Sequence, residues 1–220
     1  MRRVFDFLIA LAGLTILSPL LIAIAVMIKR EDGGAVFYRG LRVGRHGAPL
    51  RMFKFRSMVL NAERVGGSST SDGDPRITRT GKFLRKYKLD ELPQLINVLR
   101  GDMHLVGPRP EVQKYVEKYS AEEREILNVR PGITDWASIW NADEGAVLAG
   151  SVDPERAFEE LIQPTKIQLQ LLYVRNRSLW GDAKILFYTV RRLVDKSYLP
   201  PELAAYGPPG PRLNQSGYAS

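Results

Sequence analysis

Asp90 and Glu91 stand side by side in LDELPQL, residues 89–95, within a strongly basic chain. Arg85, Lys86 and Lys88 come just before the two acids, and Arg109 comes after the apolar run that follows them. These residues leave two readings open. In the first, Asp90 caps a helix beginning at Leu92, Glu91 favours the positive end of its dipole, and Pro93 is tolerated in the first turn. In the second, a helix N-terminus ringed by cations forms a phosphate site. Carboxylates placed there stay ionised, because cations and the dipole lower their pKa. Such a carboxylate can hold Mg²⁺, which takes hard oxygen ligands and bridges protein to phosphates. It can also attack phosphorus to give an acyl phosphate, an attack of anion on anion that nearby positive charge must assist. Glycoside hydrolysis fits less well: its carboxylates flank a sugar from opposite sides, about 5–9 Å apart.

Composition narrows the partners. The 220 residues suit one domain with an appendage, and 45% hydrophobic residues suffice for a core. There is no cysteine, which excludes disulfides, thiol nucleophiles and cysteine-ligated zinc. His46 and His104 are far apart and are expected in satisfied structural roles. The formal charge of +8 points to an anionic partner. Nucleic acid is not expected, because no binding motif is present and the basic residues cluster around acids that a phosphate backbone would repel.

Residues 7–28, FLIALAGLTILSPLLIAIAVMI, carry no charge and reach the ~20 residues that span a bilayer as a helix. The run is long for a signal peptide and ends in Lys29-Arg30, not in a small-residue cleavage site. Arg2-Arg3 and Lys29-Arg30 flank it symmetrically, whereas a simple span normally shows a charge asymmetry. Pro19, beside Ser18 at the centre, lacks an N–H, frees a carbonyl near Thr15 and should bend the helix. The hydroxyls of Thr15 and Ser18 are placed to satisfy freed backbone groups in lipid. A kinked span and a hairpin returning to the same side both remain open from these residues.

Beyond the membrane segment, residues 36–38 and 50–56 read as short strands. In the second, Phe53 and Phe55 share one face, and Lys54 and Arg56 the other, which reads as solvated charge with a basic face lining an anion site as the alternative. Residues 61–81 read as a loop and 82–89 as a short helix. Leu92, Leu95, Ile96 and Leu99 then make one apolar helical stripe that stops at Gly101. GPRPE, residues 107–111, is a rigid turn before a helix over 112–128. Near the C-terminus Leu186, Val190, Leu193 and Val194 line one side of a basic helix, to pack on the core or lie among lipid headgroups. The Pro/Gly-rich end is expected to be disordered.

LDELPQLINVLRGDMHLVGPRPE resembles the signature of the bacterial sugar transferase family, the monotopic phosphoglycosyl transferases. RVFDF, FKFRSM (53–58), DPRITRTGKFLRK (74–86), VRPGIT (129–134) and YVRNRSLWGDAKILFYTV (173–190) extend the resemblance over nearly the whole chain. Because the chain starts at the apolar segment, it resembles the small form of the family. The resemblance implies an α/β, mostly helical fold. A re-entrant helix-break-helix over 1–30, broken at Ser18 and Pro19, would join a small cytosolic catalytic domain over 31–200. That domain would carry short strands and amphipathic interfacial helices, with a disordered tail over 201–220. It implies transfer of a phosphosugar from a UDP-sugar to polyprenol phosphate with release of UMP. Asp90 would be the nucleophile, Glu91 the Mg²⁺-associated partner, and Lys54, Arg56, Arg85 and Arg109 the phosphate-holding cations. The setting implied is the bacterial inner membrane, in contact with phospholipid, with catalysis on the cytoplasmic face and a homodimer left open. A non-catalytic scaffold of the same fold is the alternative. One departure stands out: where the family continues PGITGWAQVNGR, this chain has PGITDWASIWNADEG, so the contacts of that segment are not carried over. Asp143 or Glu144 are candidates to replace them.

Overall fold

Arg2–Asp32 form a single helix, α1, in the computed structural model, which describes residues 2–62, 70–71, 73–207 and 209. It is the one helix among them long and apolar enough to cross a membrane. Helical structure continues through Pro19 instead of breaking there. The side chains explain how. Pro19 has no N–H for the carbonyl of Thr15, and Ser18 Oγ donates to that carbonyl at 2.8 Å. One turn earlier, Thr15 Oγ1 donates to Leu11 O at 2.9 Å. The hydroxyls thus serve the backbone as the sequence suggested, and the expected helix-break-helix is one continuous element.

Both ends of α1 are bound to the same globular body. At the start, Arg2 pairs with Asp182, Asp6 with His104, and Arg3 donates to the carbonyls of Val98 and, at 2.6 Å, Leu99. At the other end, Ile24 and Ile28 are buried with Phe55 and Leu84, and Asp32 pairs with Arg56. Between these anchors Ile16, Leu20 and Ile22 remain exposed. His104 is satisfied by Asp6, while His46 sits in a turn with φ 57°.

The chain then makes an antiparallel hairpin of β1 (Phe37–Val43) and β2 (Pro49–Phe55), pairing Phe37 with Phe55 and Arg39 with Phe53. Helix α2 (Arg79–Lys86) is capped by Thr78, whose side chain accepts from Gly81 N. Helix α3 (Gln94–Arg100) ends at Gly101, whose φ of 86° is the left-handed stop glycine allows. The apolar stripe expected on α3 is only half-buried and faces α1: a Cβ at Gly13 would lie 3.3 Å from Leu95 Cδ1. The fully buried positions are instead Gln94, Asn97 and Val98. Asn97 acts as a third strand on the free edge of β2, since its Oδ1 accepts from Phe53 N and its Nδ2 donates to Arg51 O, both at 2.9 Å.

Strands β3 (His104–Val106) and β4 (Gly132–Thr134) form a short parallel pair that the sequence did not announce. It brings the GPRP and VRPG turns into backbone contact. A Cβ on Gly132 would fall 2.1 Å from Gly107 N, so neither turn tolerates a side chain at that crossing. The helix expected over 112–128 is two pieces, α4 (Gln113–Val116) and a 3₁₀ helix over Glu123–Asn128. There follow α5 (Trp136–Trp140), α6 (Glu144–Val147), α7 (Pro154–Ala157), a π-helical turn over Phe158–Ile162, α8 (Gln163–Asn176) and α9 (Leu179–Val194). On α9, Ile185 and Asp182 face inward, whereas Val190, Leu193 and Val194 are exposed, so most of the stripe does not enter the core. The tail expected to be disordered from residue 201 is ordered through Gly207. Pro201–Tyr206 form a 3₁₀ helix, Leu203 is fully buried, and Trp140 Nε1 donates to Gly207 O at 2.7 Å. The expectation for 208–220 falls outside the described residues, Pro209 excepted, as does the loop expectation for 63–69 and 72.

Replacing Asn97 by Leu keeps a side chain of similar size but strips the Phe53 N–H and the Arg51 carbonyl of these bonds. The cost should be about 1–3 kcal/mol for each buried group left unpaired. Thermal unfolding of detergent-solubilised protein should show a clearly lowered midpoint, and an unchanged midpoint would refute the edge-strand role.

Candidate active site

Asp90 and Glu91 lie in a 3₁₀ turn, Leu89–Glu91, wedged between α2 and α3. Lys88, with φ 55° and ψ 22°, turns the chain sharply into it. Neither this turn nor α3 is capped by a side chain; Pro93 occupies the cap position of α3. Asp90 is therefore not the helix cap that one reading of the sequence made it. It is 6% exposed, and a carboxylate in such a place needs a reason.

The two acids experience opposite fields. Burial and the neighbouring Glu91 charge push the Asp90 carboxyl above the ordinary carboxylate range, with Lys54, Arg85 and Lys88 pulling it partly back. Glu91 also loses water, yet Arg109 and Lys54 hold it well below that range. The sequence-based expectation that both acids are driven toward the ionised form thus holds for Glu91 and not for Asp90, because burial outweighs the cations at Asp90.

Three elements meet at Glu91. Its Oε1 receives Lys54 Nζ from β2 at 2.8 Å and the guanidinium of Arg109 from the GPRP turn. Lys54 is not the solvated charge expected of that strand face: it turns inward, and desolvation lowers its pKa. Arg109 is fixed on every side. Its NH1 donates to Ile133 O at 3.3 Å, its backbone N donates to Asp135 Oδ2 at 3.3 Å, and its carbonyl accepts from Gln170 Nε2 at 3.2 Å.

The remaining cations divide. Arg85 donates through Nε to Ser57 Oγ at 3.1 Å while its charge acts on Asp90. Arg56 is directed elsewhere. Its guanidinium engages Asp32 by two nitrogens and Ala35 O at 2.6 Å, tying the hairpin to the end of α1. Arg56 shares a strand face with Lys54 in the pattern of alternation, but β2 ends at Phe55, and Arg56 lies against the end of α1.

The atypical segment supplies part of the frame. Asp135 is fully buried, caps α5 by accepting from Ser138 N at 2.7 Å, and also accepts from Gln170 at 3.3 Å. Glu144 is held by Asn141 Nδ2 at 2.9 Å and lies in the field of Arg109, Lys54 and Lys88. Asp143 instead faces Arg192 at 3.6 Å. Sequence reasoning flagged Asp135 only as a departure and missed Gln170, since nothing local shows that 109, 135 and 170 converge. Gln94, fully buried at the start of α3, has no hydrogen-bond partner among the described residues for either amide atom.

No group of three or more acids or histidines among the described residues is arranged to hold a metal ion by itself. The dyad nevertheless suits Mg²⁺, which typically takes one or two carboxylates and draws its other ligands from substrate phosphates and water. Both cations reach Glu91 through Oε1, and Oε2 takes neither contact.

Comparison with known proteins agrees with these features. The sequence model of the bacterial sugar transferase family matches residues 1–196. A UDP-N-acetylgalactosamine-undecaprenyl-phosphate N-acetylgalactosaminephosphotransferase of Aeromonas hydrophila is 40% identical over 198 residues, covering 88% of this chain and 43% of the relative. A UDP-glucose:undecaprenyl-phosphate glucose-1-phosphate transferase of Escherichia coli is 38% identical, covering 86% and 39%. The chain thus spans about two fifths of the length of these relatives. The exopolysaccharide production protein ExoY of Sinorhizobium fredii is 36% identical, over 86% of this chain and 83% of its own length. With a family match over residues 1–196, a range that includes the Asp90–Glu91 site, the chain belongs to the bacterial sugar transferase family.

Proposed function

We propose that this protein transfers a sugar phosphate from a UDP-sugar to undecaprenyl phosphate, as the names of its relatives describe for those proteins, and that it releases UMP. The observation that carries the reading is the buried Asp90, free of any capping duty, beside a Glu91 neutralised by Lys54 and Arg109. A deprotonated Asp90 oxygen attacks the sugar-bearing phosphorus. The bond from that phosphorus to the bridging oxygen breaks, and UMP leaves with the electron pair. An oxygen of polyprenol phosphate then attacks the same phosphorus, forming the lipid diphosphate sugar and returning Asp90 as carboxylate. Arg109 and Arg85 counter the charge on the phosphates, and Lys54 and Arg109 keep Glu91 ionised and oriented. Glu91, together with the substrate diphosphate, would hold Mg²⁺, which would supply further positive charge for the departing phosphate.

Purified protein with Mg²⁺, undecaprenyl phosphate and a panel of UDP-sugars should release UMP with one or a few of them. UDP release would point instead to an ordinary glycosyltransferase, and no release with any sugar would favour a non-catalytic scaffold. The relatives differ in the sugar named, so the panel should include N-acetylgalactosamine, glucose and galactose donors.

The membrane arrangement proposed is re-entrant: α1 enters the bilayer unbroken but bent at Pro19, with both of its ends and the catalytic body on the cytoplasmic face. A helix crossing the bilayer would leave its ends on opposite sides, about 30 Å of hydrocarbon apart. That separation would break either the Arg2–Asp182 and Asp6–His104 pairs or the Asp32–Arg56 pair. The chain has no native cysteine, so single cysteines report cleanly. Val4→Cys and Arg30→Cys should both resist a membrane-impermeant maleimide in intact cells. Labelling of one position alone would establish a span.

A further inference from the structure

We propose that the outer face of the β1–β2 hairpin binds the phosphate headgroup of an anionic phospholipid, at a site separate from the dyad. An open groove of about 560 Å³ lies on this face, bordered by Arg39, Leu41, Arg51, Phe53, Arg100 and Asp102. Strand register puts Arg39 opposite Phe53 and Leu41 opposite Arg51. Lys54, the next residue along β2, points through the other face to Glu91, so hairpin and dyad use opposite sides of one strand.

The groove concentrates cations without neutralising them. The Phe53 ring is flanked by the guanidiniums of Arg39 and Arg100, 5.9 and 5.8 Å from its centroid. Among the described residues, neither Arg39 nor Arg51 has a carboxylate partner, and Arg100 meets only Asp102, at 3.5 Å. Three guanidiniums around one acid leave the groove net positive. Planar guanidinium donors match the oxygens of phosphate, as they do those of carboxylate, with paired hydrogen bonds.

Two features select a lipid over a soluble phosphate. Leu41 is 56% exposed, and Phe37, whose ring packs edge-on to Phe53, is 42% exposed. A face mixing cations with exposed apolar side chains matches the depth where headgroup meets acyl chain. The groove is also continuous with both anchors of α1. Arg3 donates to the last carbonyls of α3, immediately before Arg100, while β1 starts shortly after α1 ends at Asp32. The base of a membrane-inserted helix lies at headgroup level, which brings the groove there too.

The test is native mass spectrometry of the full chain equilibrated with equal amounts of phosphatidylglycerol and phosphatidylcholine of identical acyl composition. Wild type should retain phosphatidylglycerol about tenfold over phosphatidylcholine, and the Arg39→Gln/Arg51→Gln/Arg100→Gln variant should fall toward parity. Should the triple variant misfold, Arg51→Gln alone should show the same trend to a smaller extent. Parity in wild type, or undiminished preference in the variants, overturns the proposal. Displacement of phosphatidylglycerol by excess glycerol 3-phosphate would assign the groove to a soluble phosphate compound. A mass change by light scattering in the variant would assign it to a second copy of this chain. Either result rejects the lipid.

Discussion

The structure turns on one shared carboxylate. Glu91 Oε1 joins Lys54 from the hairpin and Arg109 from the GPRP turn, and without it two half-buried cations would lose their shared partner. Ion pairs withdrawn from water stabilise only when their geometry is held, so each partner of this three-way contact must be positioned by its own surroundings. Each is. Asn97 pins β2, and with it Lys54, to α3. The Gly107–Gly132 crossing, Asp135 and Gln170 fix the backbone of Arg109. Lys88 in the left-handed conformation sets the turn that presents both acids.

This arrangement separates the acids into two kinds of carboxylate. Glu91 spends its charge on its neighbours and is strongly favoured as the anion. Asp90 is buried beside another negative charge and is held back from ionising. A carboxylate poorly compensated by its own protein is a better nucleophile toward phosphorus than one already neutralised, and its charge is met only when cations and phosphates assemble around it. The difference follows from which carboxylate Lys54 and Arg109 contact directly.

Much of this was readable in the sequence because it is local. The dyad, its flanking cations, the Gly101 stop and the Ser18–Thr15 hydroxyl repair at Pro19 follow from spacings of a few residues. What escaped was long-range. Arg56 looked equivalent to Lys54 by alternation, but Asp32, far off in sequence, claims it. Three-residue strands such as β3 and β4 carry too little pattern to be seen before their turns meet. Asp90 looked like a cap because acids before helices usually are caps; the interposed 3₁₀ turn and Pro93 remove that role. Asp135, which stands where the resemblance leads one to expect a glycine, supports Arg109, and only the fold reveals that contact.

The most direct measurement of the central claim is the intact mass of the protein after incubation with an accepted UDP-sugar and Mg²⁺, with polyprenol phosphate withheld. Wild type should gain the mass of one phosphosugar. Asp90→Asn, which removes the attacking oxygen anion with little change of shape, should gain nothing. Adduct on both proteins would remove Asp90 from the nucleophile's role, and full turnover by Asp90→Asn would contradict a covalent aspartyl mechanism.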